Sequence, residues 1–289
     1  MDTQLQNEGV LYVVGTPIGN LGDMSTRAIE ILMEVDYIAA EDTRHTQKLL
    51  NHFSINTPMT SYHEHNEQTK GQQLLQKLQM GQSIALVSDA GLPGISDPGE
   101  VLVRLATEHA ITVLTIPGPN AAVTALVSSG LPTQPFLFVG FLPRHKKDRK
   151  IELQNWKLSP ATLIFYEAPH RIVAMLSDLC EVVGNRRVAI SRELTKVHET
   201  WVRGRLDDCL HTIKENGVRG EYTIVVEGAS KEEIAANSGE RSTWWESLSL
   251  IQHVDTYIAQ GNDKKSAIQA AAKDRAIPKR EVYNHYHQS

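Results

Sequence analysis

Two loops carry the residue types that bind small molecules through backbone. The first, Gly15-Thr-Pro-Ile-Gly19-Asn-Leu-Gly22-Asp23, follows an apolar run. It is neither GxGxxG nor GxxxxGK[ST], which excludes a dinucleotide fingerprint and an NTPase phosphate loop. Its glycines still let backbone approach a ligand closely. The second is Ser88-Asp89-Ala90-Gly91-Leu92-Pro93-Gly94-Ile95-Ser96-Asp97-Pro98-Gly99. Its glycines and prolines make a rigid concavity able to present N–H and C=O groups to an adenine or an amino-acid moiety. It follows a buried strand, where open α/β sheets bind ligands.

Other strand ends add side-chain chemistry. Phe165-Tyr166-Glu167-Ala168-Pro169-His170-Arg171 and Arg192-Glu193-Leu194-Thr195-Lys196 place carboxylates and cations at corresponding positions, as a cleft requires. In Glu41-Asp42-Thr43-Arg44, the Asp/Thr pair reads either as a helix N-cap or as part of the site. His63 and His65 lack a third ligand, so no metal site is expected. Arg144-His-Lys146-Lys147-Asp-Arg149-Lys150 is the densest positive segment. It lies at a helix start, where the macrodipole disfavours cations. An RNA backbone or plain solvation would account for it.

These residues need a scaffold of alternating strands and helices. Strands are expected at Val10–Val14, Tyr37–Ala40, Ile84–Ser88, Ile111–Ile116, Phe136–Phe141, Thr162–Tyr166, Arg187–Ser191 and Tyr222–Val226. Helical patterns fall between them, which argues for two α/β domains with parallel or mixed sheets. Pro117-Gly118-Pro119 reads as the hinge, giving domains 1–117 and 118–229. A polar linker is expected over 230–243 and a basic, helix-turn-helix-like tail over 244–289, its first helix starting at Trp244. That tail reads as an RNA contact or a solvated helical cap.

Composition narrows the class. Two cysteines without metal spacing argue against a disulfide framework or structural zinc. Met1–Gly9 does not look like a signal peptide, and no apolar run approaches a membrane span. A cytoplasmic protein is expected. With net charge −5, any RNA contact must use local patches.

Taken in order, the motifs resemble one family. Leu11–Asp23, Ala40-Glu-Asp-Thr-Arg44, Ser88–Gly99, Pro117-Gly-Pro119, Phe165–Ile172 and Glu221-Tyr-Thr-Ile-Val-Val-Glu-Gly228 resemble the tetrapyrrole methylases, the class III S-adenosylmethionine (SAM) methyltransferases. Within that fold they are similar to the small-subunit ribosomal RNA cytidine-2′-O-methyltransferases. The resemblance implies two α/β domains with SAM between them, a small helical C-terminal domain, and a homodimer. Matching motif by motif, it implies cofactor contacts at Pro17, Asp89, Ala90, Gly91, Ile95, Ser96, Asn120, Ala121, Tyr166, Glu167, Leu194, Tyr222 and Thr223. Asn120 departs from the small Ser common after Pro-Gly-Pro. The implied reaction is methyl transfer to the ribose of a decoding-centre cytidine in 16S rRNA of the small ribosomal subunit. Its proton acceptor is not singled out: Asp42, Glu167 and a neutral Lys196 are the candidates. Arg44 would hold a phosphate, with Arg144, Lys146, Lys147, Arg149 and Lys150 on the RNA. A tetrapyrrole or protein methyltransferase of the same fold and a non-catalytic RNA-binding assembly factor are the rivals; SAM binding separates the last.

Overall fold

A computed structural model describes residues 9–237, 245, 247–275 and 277–287. The described residues form two compact units that divide after Ala229.

The first unit holds two five-stranded sheets. One contains β1 (Val10–Val14), β2 (Tyr37–Ala40), β3 (Met59–Ser61), β4 (Ile84–Val87) and β5 (Thr112–Ile116), in the order β3-β2-β4-β1-β5. All its pairs are parallel. Parallel strands need crossovers, and α1 (Thr26–Glu34), α2 (Thr43–His52), α3 (Glu67–Gln79) and α4 (Glu100–Glu108) supply them. β4 reads Ile-Ala-Leu-Val and is buried throughout, as a central parallel strand covered on both faces should be. Leu11, Leu74, Leu86 and Leu102 fill one side, while Val14, Leu32, Ile38 and Leu50 fill the other.

After α5 (Ala121–Ser128), the second sheet contains β6 (Phe136–Phe141), β7 (Thr162–Glu167), β8 (Arg187–Arg192), β9 (Thr200–Arg205) and β10 (Tyr222–Val226), in the order β6-β7-β10-β8-β9. β6 and β7 are parallel; the other pairs are antiparallel. α6 (Lys146–Trp156), α7 (Ile172–Val183) and α8 (Leu206–Asn216) complete the unit. Phe165, Met175, Leu179 and Ile224 anchor the core.

The second unit holds α9 (Lys231–Asn237), α10 (Leu250–Ala259), α11 (Lys264–Asp274) and α12 (Lys279–His287). Val254, Ala267, Ile268, Ala271 and Val282 form its core.

Three expectations change. β3 and β9 were not anticipated; both are edge strands, and β9 carries the charges and glycine that blunt an edge (Arg203-Gly204-Arg205). The segment read as a linker contains α9. Ser230 Oγ accepts from Glu233 N (3.1 Å) while Glu233 Oε2 accepts from Ser230 N (2.8 Å), a capping box that outweighs the polar composition. The first tail helix starts at Leu250, where Ser249 and Gln252 form another such box. Trp244 and residues 1–8 lie outside the described residues.

Candidate functional site

The site grows from turns at the carboxyl ends of the parallel strands. β1 and β5 run side by side, so the turns that follow them meet. Gly15 and Gly118 touch backbone to backbone: a Cβ on Gly15 would sit 2.7 Å from Gly118 Cα, and one on Gly118 would sit 2.8 Å from Gly15 Cα. No side chain fits there. The turns after β1 and β4 are likewise joined. Thr16 N donates to Gly91 O (2.9 Å), and Gly91 N returns the bond to Thr16 O (3.1 Å). Thr16 Oγ1 also reaches Ser88 O (3.3 Å).

The second sheet supplies the facing wall. Because β10 runs antiparallel to β7 and β8, its first residues lie beside their ends, with Tyr222 opposite both Glu167 and Arg192. Tyr166 is held between Phe138 and Phe141, with ring centroids 4.9 Å and 5.6 Å away. Its hydroxyl accepts from Ala122 N (3.0 Å), which ties β7 to the start of α5. Asn120 caps that helix through Oδ1, which accepts from Val123 N (3.1 Å). It therefore offers a ligand its amide nitrogen and backbone.

Between these walls lies a cavity of about 430 Å³. The structure brings Ala90, Gly91, Ile95, Ser96, Asn120, Ala121, Tyr166, Glu167, Leu194, Lys196, Tyr222 and Thr223 to its lining. Pro17 and Asp89 are not on it: Pro17 is buried behind, and its neighbour Ile18 forms the wall instead. Asp89 lies below, accepting from Asp42 N (3.1 Å).

Glu167 is fully buried and lies 3.1 Å from Arg171 Nε. Burial raises its pKa, against the Ala168 N–H and the Arg171 charge that pull it down. Its Oε1 is taken by Ala168 N (2.9 Å), and Oε2 has no hydrogen-bond partner. A buried acceptor left without a donor costs roughly 1–3 kcal/mol. This one belongs to a cavity-lining residue and suits a ligand that brings N–H or O–H groups.

Asp97 was missed by the sequence reading, although it stands inside the second loop. It lines the cavity, and burial, then repulsion from Glu41, pushes it up to about 7 despite a hydrogen bond with Ser88. A carboxylate in that range exists in both protonation states near neutral pH, as acid–base work requires.

Two acid–base candidates are held in ion pairs. Asp42 caps α2, accepting from Arg44 N (2.8 Å), and pairs with the Arg44 guanidinium at 3.0 Å. Those bonds hold it down to about 2, and neither residue lines the cavity. Lys196 does line it, paired with two carboxylates. Burial opposes its charge, yet hydrogen bonds to Glu221 (2.9 Å) and Glu193 (3.0 Å) outweigh this and raise its pKa. Its stem crosses onto the first loop: a Cβ on Gly19 would meet Lys196 Cγ at 2.4 Å.

The basic segment divides in two. Arg149 is buried, with Nε and Nη2 on Asp178 at 2.8 Å and 2.5 Å, and it donates to Arg144 O (3.0 Å). It braces α6 against α7 and is not offered to a polyanion. Lys150 pairs with Glu181, and Lys146 lies 3.8 Å from Asp178. Arg144 and Lys147 are exposed. Among the described residues no His/Cys/Asp/Glu group is arranged to hold a metal, and no helix is long and apolar enough to cross a membrane.

Comparison with known proteins places this architecture. Residues 10–209 match the family model of tetrapyrrole (corrin/porphyrin) methylases. The chain is similar to proteins named ribosomal RNA small subunit methyltransferase I. It is 53% identical to that of Halalkalibacterium halodurans, over 99% of this chain and 97% of the relative. It is 50% identical to that of Bacillus subtilis, over 96% and 94%. Among solved structures, the methyltransferase CobJ superposes with a TM-score of 0.56 at 17% identity, covering 76% of this chain and 95% of that one. A uroporphyrin-III C-methyltransferase from Thermus thermophilus, complexed with S-adenyl homocysteine, gives 0.51 at 18%, covering 75% and 96%. At those identities the likeness concerns the fold alone. The chain belongs to the tetrapyrrole (corrin/porphyrin) methylase family and, within it, groups with the ribosomal RNA small subunit methyltransferase I proteins.

Proposed function

We propose that the protein binds SAM in this cavity and methylates the ribose 2′-hydroxyl of a decoding-centre cytidine in 16S rRNA of the small ribosomal subunit. The observation that carries the reading is near-full-length similarity to relatives named for ribosomal RNA small subunit methylation, joined to a cleft built from the family's loops.

The residues present fit the cofactor. Glu167 Oε2 awaits a donor, Tyr166 and Leu194 give apolar contact, and the turns at Gly91 and Ala121 bring backbone to the wall. When bound, SAM supplies a methyl group already activated by its sulfonium. The chain's own residues orient the acceptor and handle its proton. Asp97 is the proton acceptor in this reading: it lines the cavity, and above pH ~7 it is ionised. Glu167 holds a donor of the cofactor, with Arg171 fixing its carboxylate. Lys196 joins the two loops and keeps a positive charge at the cleft. General-base help is worth roughly 10²–10⁴-fold, and alignment supplies the rest.

Exposed Arg44, Arg144, Lys146 and Lys147 are the candidates for phosphate contact. A homodimer belongs to the same reading, supported by apolar surface at Leu114 on edge strand β5 and at Val123 and Val127 on α5. A cytoplasmic location follows from the proposed substrate. A side-by-side transfer assay tests the reading, offering labelled SAM with small subunits, naked rRNA or a uroporphyrinogen. Label in RNA supports it; label in the tetrapyrrole alone overturns it.

A further inference from the structure

The helical unit carries a second hollow. It is small, about 260 Å³, and is lined by Lys264, Lys265 and Ile268 of α11 and by Lys279, Tyr283 and His287 of α12. Ile268 is buried and forms the floor, while Tyr283 is half-exposed at 51%. The Tyr283 and His287 rings stand 4.4 Å apart. Lys264, Lys265 and Lys279 are exposed. None of the residues lining the hollow carries a carboxylate.

Folding does not account for this charge. Lys264 and Lys265 occupy the first turn of α11 and Lys279 the first turn of α12, the ends where the helix dipole disfavours cations. Arg275 shows the contrasting use of a cation in this unit. Its guanidinium donates to the Trp245 carbonyl (2.9 Å) and the Leu248 carbonyl (2.6 Å) and is consumed in bracing the fold. Lys264 lies over the Tyr286 ring (4.9 Å) and Lys279 donates to Gln269 Oε1 (3.3 Å), but neither amine meets a carboxylate there, and with Lys265 they stay exposed round an apolar floor and an exposed aromatic ring. A flat apolar group with negative charge on either side meets all of these features. A base-paired duplex shows its phosphates but hides its base faces. A single strand offers both, stacking bases on aromatic rings and phosphates on a basic rim.

We propose that this hollow binds single-stranded RNA, one unpaired base lying against Tyr283 and the flanking phosphates meeting Lys264, Lys265 and Lys279. The inference rests on RNA being the substrate and assigns the helical unit a part in holding it.

The test uses the full-length protein and a labelled, unstructured oligoribonucleotide, with binding followed by fluorescence anisotropy against salt. Tyr283→Ala should weaken binding roughly 5- to 150-fold, the range of one lost stacking contact. Tyr283→Phe should restore it. Replacing the three lysines with Gln should flatten the slope of log K against log salt by about 2, at ~0.7 per single-strand phosphate contact. SAM affinity should hold in every variant, and unchanged circular dichroism controls for folding. The proposal is overturned if Tyr283→Ala and the triple lysine variant both bind like wild type, or if wild type prefers duplex RNA. Methyl transfer by wild type to small subunits, measured in parallel, separates these failures from failure of the RNA reading itself.

Discussion

Replacing Asp97 with Asn should stabilise the protein while impairing it, and the size of the gain follows from the site. The carboxyl is displaced from its usual 3.8 to about 7 because burial and Glu41 oppose its charge. The sign is the reverse of a salt-bridged aspartate. A raised carboxylate binds its proton more tightly when folded, so it costs nothing below the unfolded value. The cost grows as pH rises from there and levels off above ~7. At ~1.36 kcal/mol per pH unit the ceiling is about 4 kcal/mol. Water at the cavity mouth screens part of this, and about 1–3 kcal/mol at pH 8 is the working expectation. Asn keeps the shape and an acceptor for Ser88. Urea unfolding of both proteins should show Asp97→Asn ahead by that margin at pH 8 and nearly level at pH 4. Methyl transfer should fall roughly 10²–10⁴-fold, and the wild-type rate should climb with pH up to ~7. A stability difference independent of pH would refute the reasoning, as would full activity in the variant.

Gly118→Ala forces a Cβ to within 2.8 Å of the Gly15 backbone; it should cut SAM affinity by calorimetry at least tenfold or prevent folding, whereas Gly130→Ala, with nothing near it, should cost only its backbone strain. Glu167→Gln should weaken SAM binding, since the orphaned Oε2 either keeps an acceptor with less charge or is replaced by a second donor; unchanged affinity would remove Glu167 from the cofactor site. Arg149→Ala leaves the buried Asp178 without its hydrogen-bonded partner, with Lys146 and Lys150 at 3.8 Å and 4.0 Å, and should cost up to about 3–5 kcal/mol in urea unfolding, whereas Lys147→Ala should leave stability alone and lower the salt slope of rRNA binding by about 0.7–0.9.

What was legible in the sequence follows from the range of the interactions involved. The cleft loops could be found because their work is done by backbone, and Gly and Pro at fixed positions announce backbone shape locally. Lining residues such as Gly91, Tyr166 and Thr223 came with them. Roles set by distant partners did not. Arg149 reads in the sequence as one of an RNA-facing run, but Asp178 waits on the next helix. Lys196 seemed able to become neutral until Glu221 arrived from β10's approach. Asp97 stood in plain view, yet only the fold brings Glu41 near enough to shift it. Asp42 reads as cap or catalyst, and the fold shows the cap, with its carboxylate accepting from the Arg44 N–H. The missed α9 is a different case. Its capping box is readable at Ser230 and Glu233, and the local hydrogen bonds outweigh the segment's polar composition.

The most direct test of the central claim is to locate the transferred methyl. Small subunits from a strain lacking this modification are incubated with the protein and labelled SAM, and the rRNA is digested with alkali. A 2′-O-methyl group blocks cleavage at its own nucleotide, so the account predicts label in one alkali-resistant dinucleotide that begins with a decoding-centre cytidine. Label released in mononucleotides would put the methyl on a base and contradict the account, as would the absence of any transfer to RNA.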